Sequence, residues 1–252
     1  MHSLAILILT CNEEDNVTAV VDNAKKCTDE VIIIDSGSTD RTIELAEKAG
    51  AKVAFRAWTN DFSAQRNFAL EQTTADWVLY LDADERLNDE LIKAVKEIVS
   101  INDTNQQYIF QRKSVAFGTK FNHGALKPDF VPRMFPRNQV KWVNKVHEHP
   151  KCALPSKILP GHIEHYTYKN WHHWESKMCQ YTTIWAQDAY RHGKRISLSG
   201  VFTHSLGGFF KMFILKLGFL DGWMGTYMCF THFFYTMMKY LKLYELQKTE
   251  HK

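Results

Sequence analysis

The stretch EVIIIDSGSTD, residues 30–40, sets four apolar residues in a row and then turns abruptly polar. A strand with one wet face alternates apolar and polar side chains. An unbroken apolar run marks a strand buried on both faces, as in a parallel sheet covered by helices. Residues 4–9 (LAILIL), 52–55 (KVAF) and 77–81 (WVLYL) read as further strands. Between them, 16–27 carries Val17, Val20, Val21 and Ala24 at helical spacing, 41–49 reads as a helix ended by Gly50, and 62–72 and 89–100 as two more. This alternation predicts an α/β fold, a Rossmann-type, mostly parallel sheet with helices on both faces. Ligands of such sheets bind beyond the carboxyl ends of the strands. The residues just after Leu9, Ile34 and Leu81 are therefore suspects on geometry alone.

From about residue 105 the pattern changes. YIFQRKSVAFG (108–118) and DFVPRMFP (129–136) predict strands of an antiparallel extension, and 170–192 a helix. Its stripe of Trp171, Trp174, Met178, Tyr181 and Trp185 reads as core packing. The last fifty residues are rich in Phe, Met, Tyr and Leu, with Lys211, Lys216, Lys239 and Lys242 interspersed. Their longest run without a charged residue, 222–238, is 17 residues, short of the ~20 that a spanning helix needs. A helical, aromatic-rich extension lying in a membrane interface is the expectation.

The 252 residues, 45% hydrophobic and 23% charged, suit a globular chain with a substantial core. Five cysteines, odd in number and without a CxxC pair, argue for free thiols in a reducing compartment. MHSLAILILT is too short an apolar run, and lacks the basic flank, for a signal peptide. A cytoplasmic chain is expected. Charge is segregated: residues 1–90 hold 8 Lys/Arg against 18 Asp/Glu, and residues 91–252 hold 23 against 10. A cation-handling first half and a second half that meets anions follow from that polarity. The basic residues are spread out, which disfavours nucleic acid as a partner.

Three polar stretches end predicted strands: TCNEEDN (10–16), DSGSTD (35–40) and LDADE (81–85). In extended backbone Asp82 and Asp84 share a face, roughly 6–7 Å apart. At an effective dielectric near 20 they repel by roughly 2–3 kcal/mol. A divalent cation relieves this, and magnesium is commonly held by one or two carboxylates plus substrate phosphates. Glu85 is expected to alternate away from the pair. Neither GxxxxGK[ST] nor GxGxxG occurs, which counts against a P-loop NTPase and a nicotinamide dehydrogenase.

The order T-x-N-E, V-I-I-I-D-S-G-S-T-D, A-Q-R-N and Y-L-D-A-D-E over residues 4–100 resembles the inverting family 2 glycosyltransferases. The later W-V-N-K-V-H-E-H and H-Y-T-Y-K-N-W resemble the subgroup that adds hexose, typically glucose, to the inner core of lipopolysaccharide or lipooligosaccharide. The resemblance implies a GT-A-like domain. It implies that Thr10, Asn12 and Glu13 line the nucleotide pocket, that Asp35 contacts uridine, and that Ser36, Ser38 and Asp40 shape the turn. By the same resemblance Arg66 lies near nucleotide or diphosphate, Asp82 reaches ribose or metal-bound water, and Asp84 is the principal ligand of Mg²⁺ or Mn²⁺. Glu148 in VHEHP is the candidate base and Asp188 in WAQDAY the runner-up. The family's more common base is an aspartate in an ED pair, which this chain lacks after residue 90.

Three parts are expected: 1–104 binding the nucleotide sugar, 105–195 completing the catalytic domain on the acceptor side, and 196–252 helical and membrane-interfacial. The pairs His147/His149, His162/His165 and His172/His173 read as ordinary histidines, because no cysteine stands at a zinc spacing. Arg112, Lys113, Arg133 and Arg137 are candidates for diphosphate or an anionic acceptor. The expected partners are a nucleotide-sugar donor, a lipid-linked glycan acceptor, the inner-membrane surface and a second copy of the chain. Rival readings are another donor such as ADP-heptose, a sugar-nucleotide nucleotidyltransferase, and a non-catalytic membrane-associated sugar-binding protein. The nucleotidyltransferase normally carries a glycine-rich loop after its first strand, and TCNEEDN has no glycine.

Overall fold

The computed structural model describes residues 2–144 and 148–249. Lys145 and His147, beside the candidate base, lie outside the described residues. The chain forms two compact units, one of Met1–Arg112 with Asp129–His165, the other of Lys113–Pro128 with Tyr166–Lys252.

The first unit opens with the expected alternation: β1 (Leu4–Thr10), α1 (Val17–Lys25), β2 (Glu30–Asp35), α2 (Thr42–Lys48), β3 (Lys52–Phe55), α3 (Phe62–Glu71) and β4 (Trp77–Asp82). A short strand β5 (Glu85–Leu87) and helix α4 (Asp89–Ile101) follow. Then come β6 (Gln107–Ala116), β7 (Thr119–Lys120), β8 (Asp129–Pro136), β9 (Lys141–Val143), β10 (His149–Lys151) and β11 (Ser156–Tyr168). The main sheet runs β3-β2-β1-β4-β8-β6-β11-β5, with β7 on β6 and a separate β9–β10 pair. The pairs β3/β2, β2/β1 and β1/β4 are parallel, whereas β8 joins β4 antiparallel.

Side-chain alternation explains the unbroken apolar runs. Ile6, Ile8, Ile33, Leu79 and Leu81 enter one core with Val20, Val21 and Val95, while Leu7, Ile32, Ile34, Val78 and Tyr80 enter another with Ala69. Each central strand feeds a core on both faces, so no position along it can be polar without loss. Chain order reverses at β1, with β2 on one side and β4 on the other. That switch point opens a crevice beyond their carboxyl ends.

Two elements differ from the sequence reading. The chain turns at Ala83–Asp84 and returns as β5, so the extended pleat stops at Asp82. The thirteen-residue β11 has no counterpart among the expected elements. Its sequence SKILPGHIEHYTY holds Pro160 and Gly161, residues that argue against a strand. Gly161 is needed at φ +86°, where a Cβ would strike Leu91 N and the Asn88 side chain at the start of α4. Asn88 caps that helix by accepting from Leu91 N, and its Oδ1 also accepts from His162 N.

The second unit holds the end of β6, β7, a 3₁₀ turn Gly124–Leu126 and the end of β11. Three helices complete it: α5 (Trp171–Arg191), α6 (Leu198–Phe210), which continues as a π turn over Lys211–Leu215, and α7 (Gly222–Thr249). A 3₁₀ turn, Gly218–Asp221, reverses the chain before α7. Ala186 of α5, Val201 of α6, and Tyr240 and Leu243 of α7 form one cluster; Ala116, Phe121, Met224 and Met228 form another. The α5 stripe is less buried than expected. Trp171 and Tyr181 are exposed, and the fully covered positions are Thr182 and Ala186. Trp171 stacks on Phe117 at 3.8 Å instead.

Candidate functional site

A cleft of about 350 Å³ opens beyond β1, β2 and β4, lined by Thr10, Cys11, Glu13, Ser36, Arg66, Asp82 and Asp84 together with Trp58, Phe62 and Gln65. It occupies the switch-point crevice, because the register sets Thr10 beside Asp35 and Leu9 beside Asp82.

The loops after β1 and β2 are braced by side chains rather than by repeating structure. Asp35 is fully buried beneath the cleft, and both its oxygens are engaged. Oδ1 accepts from Gly37 N at 2.9 Å and Ser38 N at 2.8 Å; Oδ2 accepts from Thr10 Oγ1 at 3.1 Å and Ser38 Oγ at 2.5 Å. Gly37 adopts φ +112°, which closes this turn. Asn12, itself at φ +56°, donates its N–H to Ser38 Oγ and accepts from Thr39 N. Asp40 accepts from Thr42 and from Glu14 N. Thr10, Glu13 and Ser36 thus face the cleft, while Asn12, Asp35, Ser38 and Asp40 hold the loops that shape it.

On the β4 side a buried ion network replaces the expected carboxylate pair. Arg133, nearly inaccessible on β8, donates from Nη2 to Asp82 Oδ2 at 2.7 Å and to Glu85 Oε1 at 2.6 Å. Arg66 of α3 donates to Asp82 Oδ1 at 3.0 Å. Arg112 reaches Glu85 at 3.3 Å and grips Asp129 with two hydrogen bonds. Glu85 Oε2 accepts from Asp82 N at 3.0 Å. The turn after Asp82 therefore carries Glu85 back toward Asp82 instead of away from it. Desolvation opposes ionisation of Asp82, but the Arg133 and Arg66 guanidiniums prevail and hold its carboxyl well below the usual carboxylate range. For Glu85 burial wins over Arg133, and its carboxyl is pushed above its ordinary value.

Asp84, at the tip of the turn, meets a residue outside the expected set. The antiparallel register of β11 on β5 sets His165 opposite Glu85, and His165 Nε2 lies 3.3 Å from Asp84 Oδ2. Only the pairing of distant strands brings them together. Among the described residues, no group of three or more His, Cys, Asp or Glu side chains gathers as a metal site. Asp84 and His165 are a carboxylate and an imidazole, donors that suit a divalent cation completing its shell with diphosphate oxygens and water.

Arg66 is the centre of the cleft wall. Its guanidinium lies 4.6 Å from the Trp142 ring and 5.9 Å from that of Tyr80. Its Nε is 3.9 Å from Glu148 Oε1. Nε and Nη1 are buried with no hydrogen-bond partner among the described residues. Buried donors are rarely left unmade, and two on one arginine point to an anionic ligand. Trp58 and Phe62, edge-to-face at 4.6 Å, form an exposed aromatic wall that the sequence reading missed. The visible signal was two large aromatics just ahead of A-Q-R-N. Asp188 lies in the second unit, 66% exposed, and pairs with His192 at 3.4 Å.

Residues 5–158 match the family described as Glycosyl transferase family 2; residues 159–252 lie beyond that match. An uncharacterised glycosyltransferase of Rickettsia conorii is 28% identical over 233 residues, 88% of this chain and 82% of the relative. One from Rickettsia typhi is 26% identical over 98% of this chain and 88% of its own length. Among solved structures, glucosyl-3-phosphoglycerate synthase from Mycobacterium tuberculosis, in complex with Mn²⁺, UDP-glucose and phosphoglyceric acid, is 24% identical. That likeness covers 46% of this chain and 44% of the synthase chain, at a TM-score of 0.35.

Proposed function

Because the chain belongs to glycosyl transferase family 2, we propose that it transfers a hexose, glucose from UDP-glucose, with inversion onto the inner-core heptose of lipopolysaccharide or lipooligosaccharide. The observation that carries the donor half is Arg66, buried in the cleft between Asp82 and Glu148, with Nε and Nη1 making no hydrogen bond among the described residues. A diphosphate satisfies those donors, and the Trp58–Phe62 wall offers a face for the base to stack on. The acceptor half, and a donor other than ADP-heptose, rest on the motif resemblance.

Inversion takes one displacement. The acceptor oxygen bonds to the anomeric carbon as the bond from that carbon to the diphosphate oxygen breaks, and the nucleoside diphosphate leaves with the electron pair. Glu148, with a quarter of its side chain open to solvent, accepts the hydroxyl proton. Arg66 meets the charge that develops on the leaving group. Asp84 and His165 would hold Mg²⁺ or Mn²⁺, which supplies Lewis-acid stabilisation of the departing diphosphate. Asp82 is already gripped on both oxygens by arginines, and its part is to hold Arg66 in place. The free cysteines and a lipid-linked acceptor fit a cytoplasmic enzyme at the inner-membrane surface.

The test is thermal shift and slow donor hydrolysis with a panel of nucleotide sugars, each with Mg²⁺, Mn²⁺ or chelator. Stabilisation by UDP-glucose that needs the metal is expected. It should be lost in Asp84→Ala, and hydrolysis should fall at least a hundredfold in Glu148→Gln with donor binding kept. Stabilisation by no UDP- or ADP-sugar overturns the reading.

A further inference from the structure

Beyond the family match, the second unit leaves unburied a surface that a soluble fold normally covers. Along α6 and its π turn, Leu198, Phe202, Leu206, Phe210 and Ile214 recur every fourth residue, and all are exposed. Val201 and Ser205 of α6 and Met212 of the π turn, on the other side, are buried. At the reversal, Leu215 is 78% and Trp223 74% exposed, and Phe230 and Phe234 continue the surface along α7. Isolated apolar residues are normal on a protein surface, but a stripe as long as a helix is not. The helical run Leu198–Leu215 is long and apolar enough to cross a membrane, yet only 11% of it is buried.

The charge around this face selects its partner. Residues 198–249 contain five lysines against two acids. One of the acids, Asp221, is occupied: it accepts from Asn122 N and His123 N and pairs with the His123 ring at 2.7 Å. Lys216 lies where burial, then Lys127 and Lys211, depress its ammonium below the ordinary lysine value. Three crowded cations beside exposed aromatics match a surface that is apolar inside and negatively charged outside.

The packing selects the orientation. Lys242 of α7 donates to Cys179 O, Thr182 and Thr183 of α5, and Gln247 is bonded to Ile196 at the start of α6. At the other end Gly124 N donates to Lys216 O. Trp171 of α5 also meets Tyr227 of α7 at 5.1 Å, so α5 travels with α7, and it carries Glu175, Asp188 and Arg191. A transmembrane α6–α7 would drag those charges into hydrocarbon, where ionised side chains are strongly disfavoured.

We propose that α6 and α7 lie flat on an anionic lipid bilayer, with the α6 stripe, Leu215 and Trp223 among the acyl chains and Lys127, Lys211 and Lys216 at the lipid phosphates. The inference deepens the lipid-linked acceptor reading and rests on it for its purpose.

The test is co-sedimentation of the full chain with phosphatidylcholine vesicles, with and without 30% phosphatidylglycerol. Partitioning at least tenfold stronger onto the anionic vesicles is expected. Leu215→Asp with Trp223→Asp should lower it at least tenfold, and Lys211→Gln with Lys216→Gln should remove most of the anionic preference. Donor-induced thermal shift should persist in both variants, which separates this surface from the cleft: loss of the shift in wild type condemns the donor reading alone. The proposal is overturned if wild type ignores anionic vesicles, or if the Asp substitutions leave binding intact. It is also overturned if light scattering shows a dimer that those substitutions split, because a second copy then covers the face.

Discussion

Arg133 shows how burial changes a residue's role. By composition it is a candidate for binding anions from solution; in the fold it is buried on β8 and binds two carboxylates of its own chain. Replacing it by Met strands Asp82 and Glu85 together, and a loss of about 3–5 kcal/mol in urea unfolding is expected. The two acids should differ in pH dependence. The Asp82 carboxyl is depressed in the fold, so its contribution is fully present above the unfolded value near ~3.9 and is lost as pH falls through the folded value. The Glu85 carboxyl is raised, so its contribution is present below its unfolded value near ~4.3 and declines as pH rises through the folded one. Unfolding curves between pH 3 and 7 should therefore show the Asp82→Asn penalty shrinking on acidification and the Glu85→Gln penalty shrinking toward neutrality; parallel trends would contradict the assignment. The cysteines give a second check. Burial, then Asp35, Asp40 and Glu13, raise the Cys11 thiol in the cleft, and burial pushes Cys27 up to about 11. Alkylation at pH 8, followed by mass spectrometry, should mark exposed Cys179 first, Cys11 more slowly, and Cys27 and the fully buried Cys229 last, with UDP-glucose protecting Cys11 alone.

At the scale of elements, β5 and β11 build the part of the cleft that local pattern leaves out. The pleat rule pairs Asp82 with Asp84 only while the strand continues, and the turn at Ala83–Asp84 ends it. Arg86 secures that turn by donating to Ala83 O at 2.7 Å. β11 delivers His165 to Asp84 through its register with β5, so its kink matters to the site. Asn88→Ala removes both the α4 cap and the anchor of His162, and should lower stability by about 1 kcal/mol or more. Gly161→Ala should be worse, since its Cβ meets backbone that cannot yield. Chemical denaturation of the two variants measures the order.

Over the whole molecule, the second unit is discontinuous: Lys113–Pro128 belongs with Tyr166–Lys252. Phe121 and Ala116 pack on Met224 and Met228. A chain stopped at His165 leaves that hairpin without its core, and it should elute from size exclusion as aggregate rather than as a discrete small domain. The sequence by itself determined the parallel strands β1 to β4 and the edge at which their polar loops gather. Unbroken apolar runs and helical spacing are local properties, decided by burial of adjacent residues. It also carried the family, since four short motifs fall in order along one hundred residues. Only the tertiary structure decided which acids stand free and which are bound to arginines, that His165 reaches Asp84, and that the aromatic C-terminal helices keep one face uncovered. Those facts depend on contacts between residues far apart in the chain, and no local pattern encodes which distant partner will neutralise a charge or cover a face.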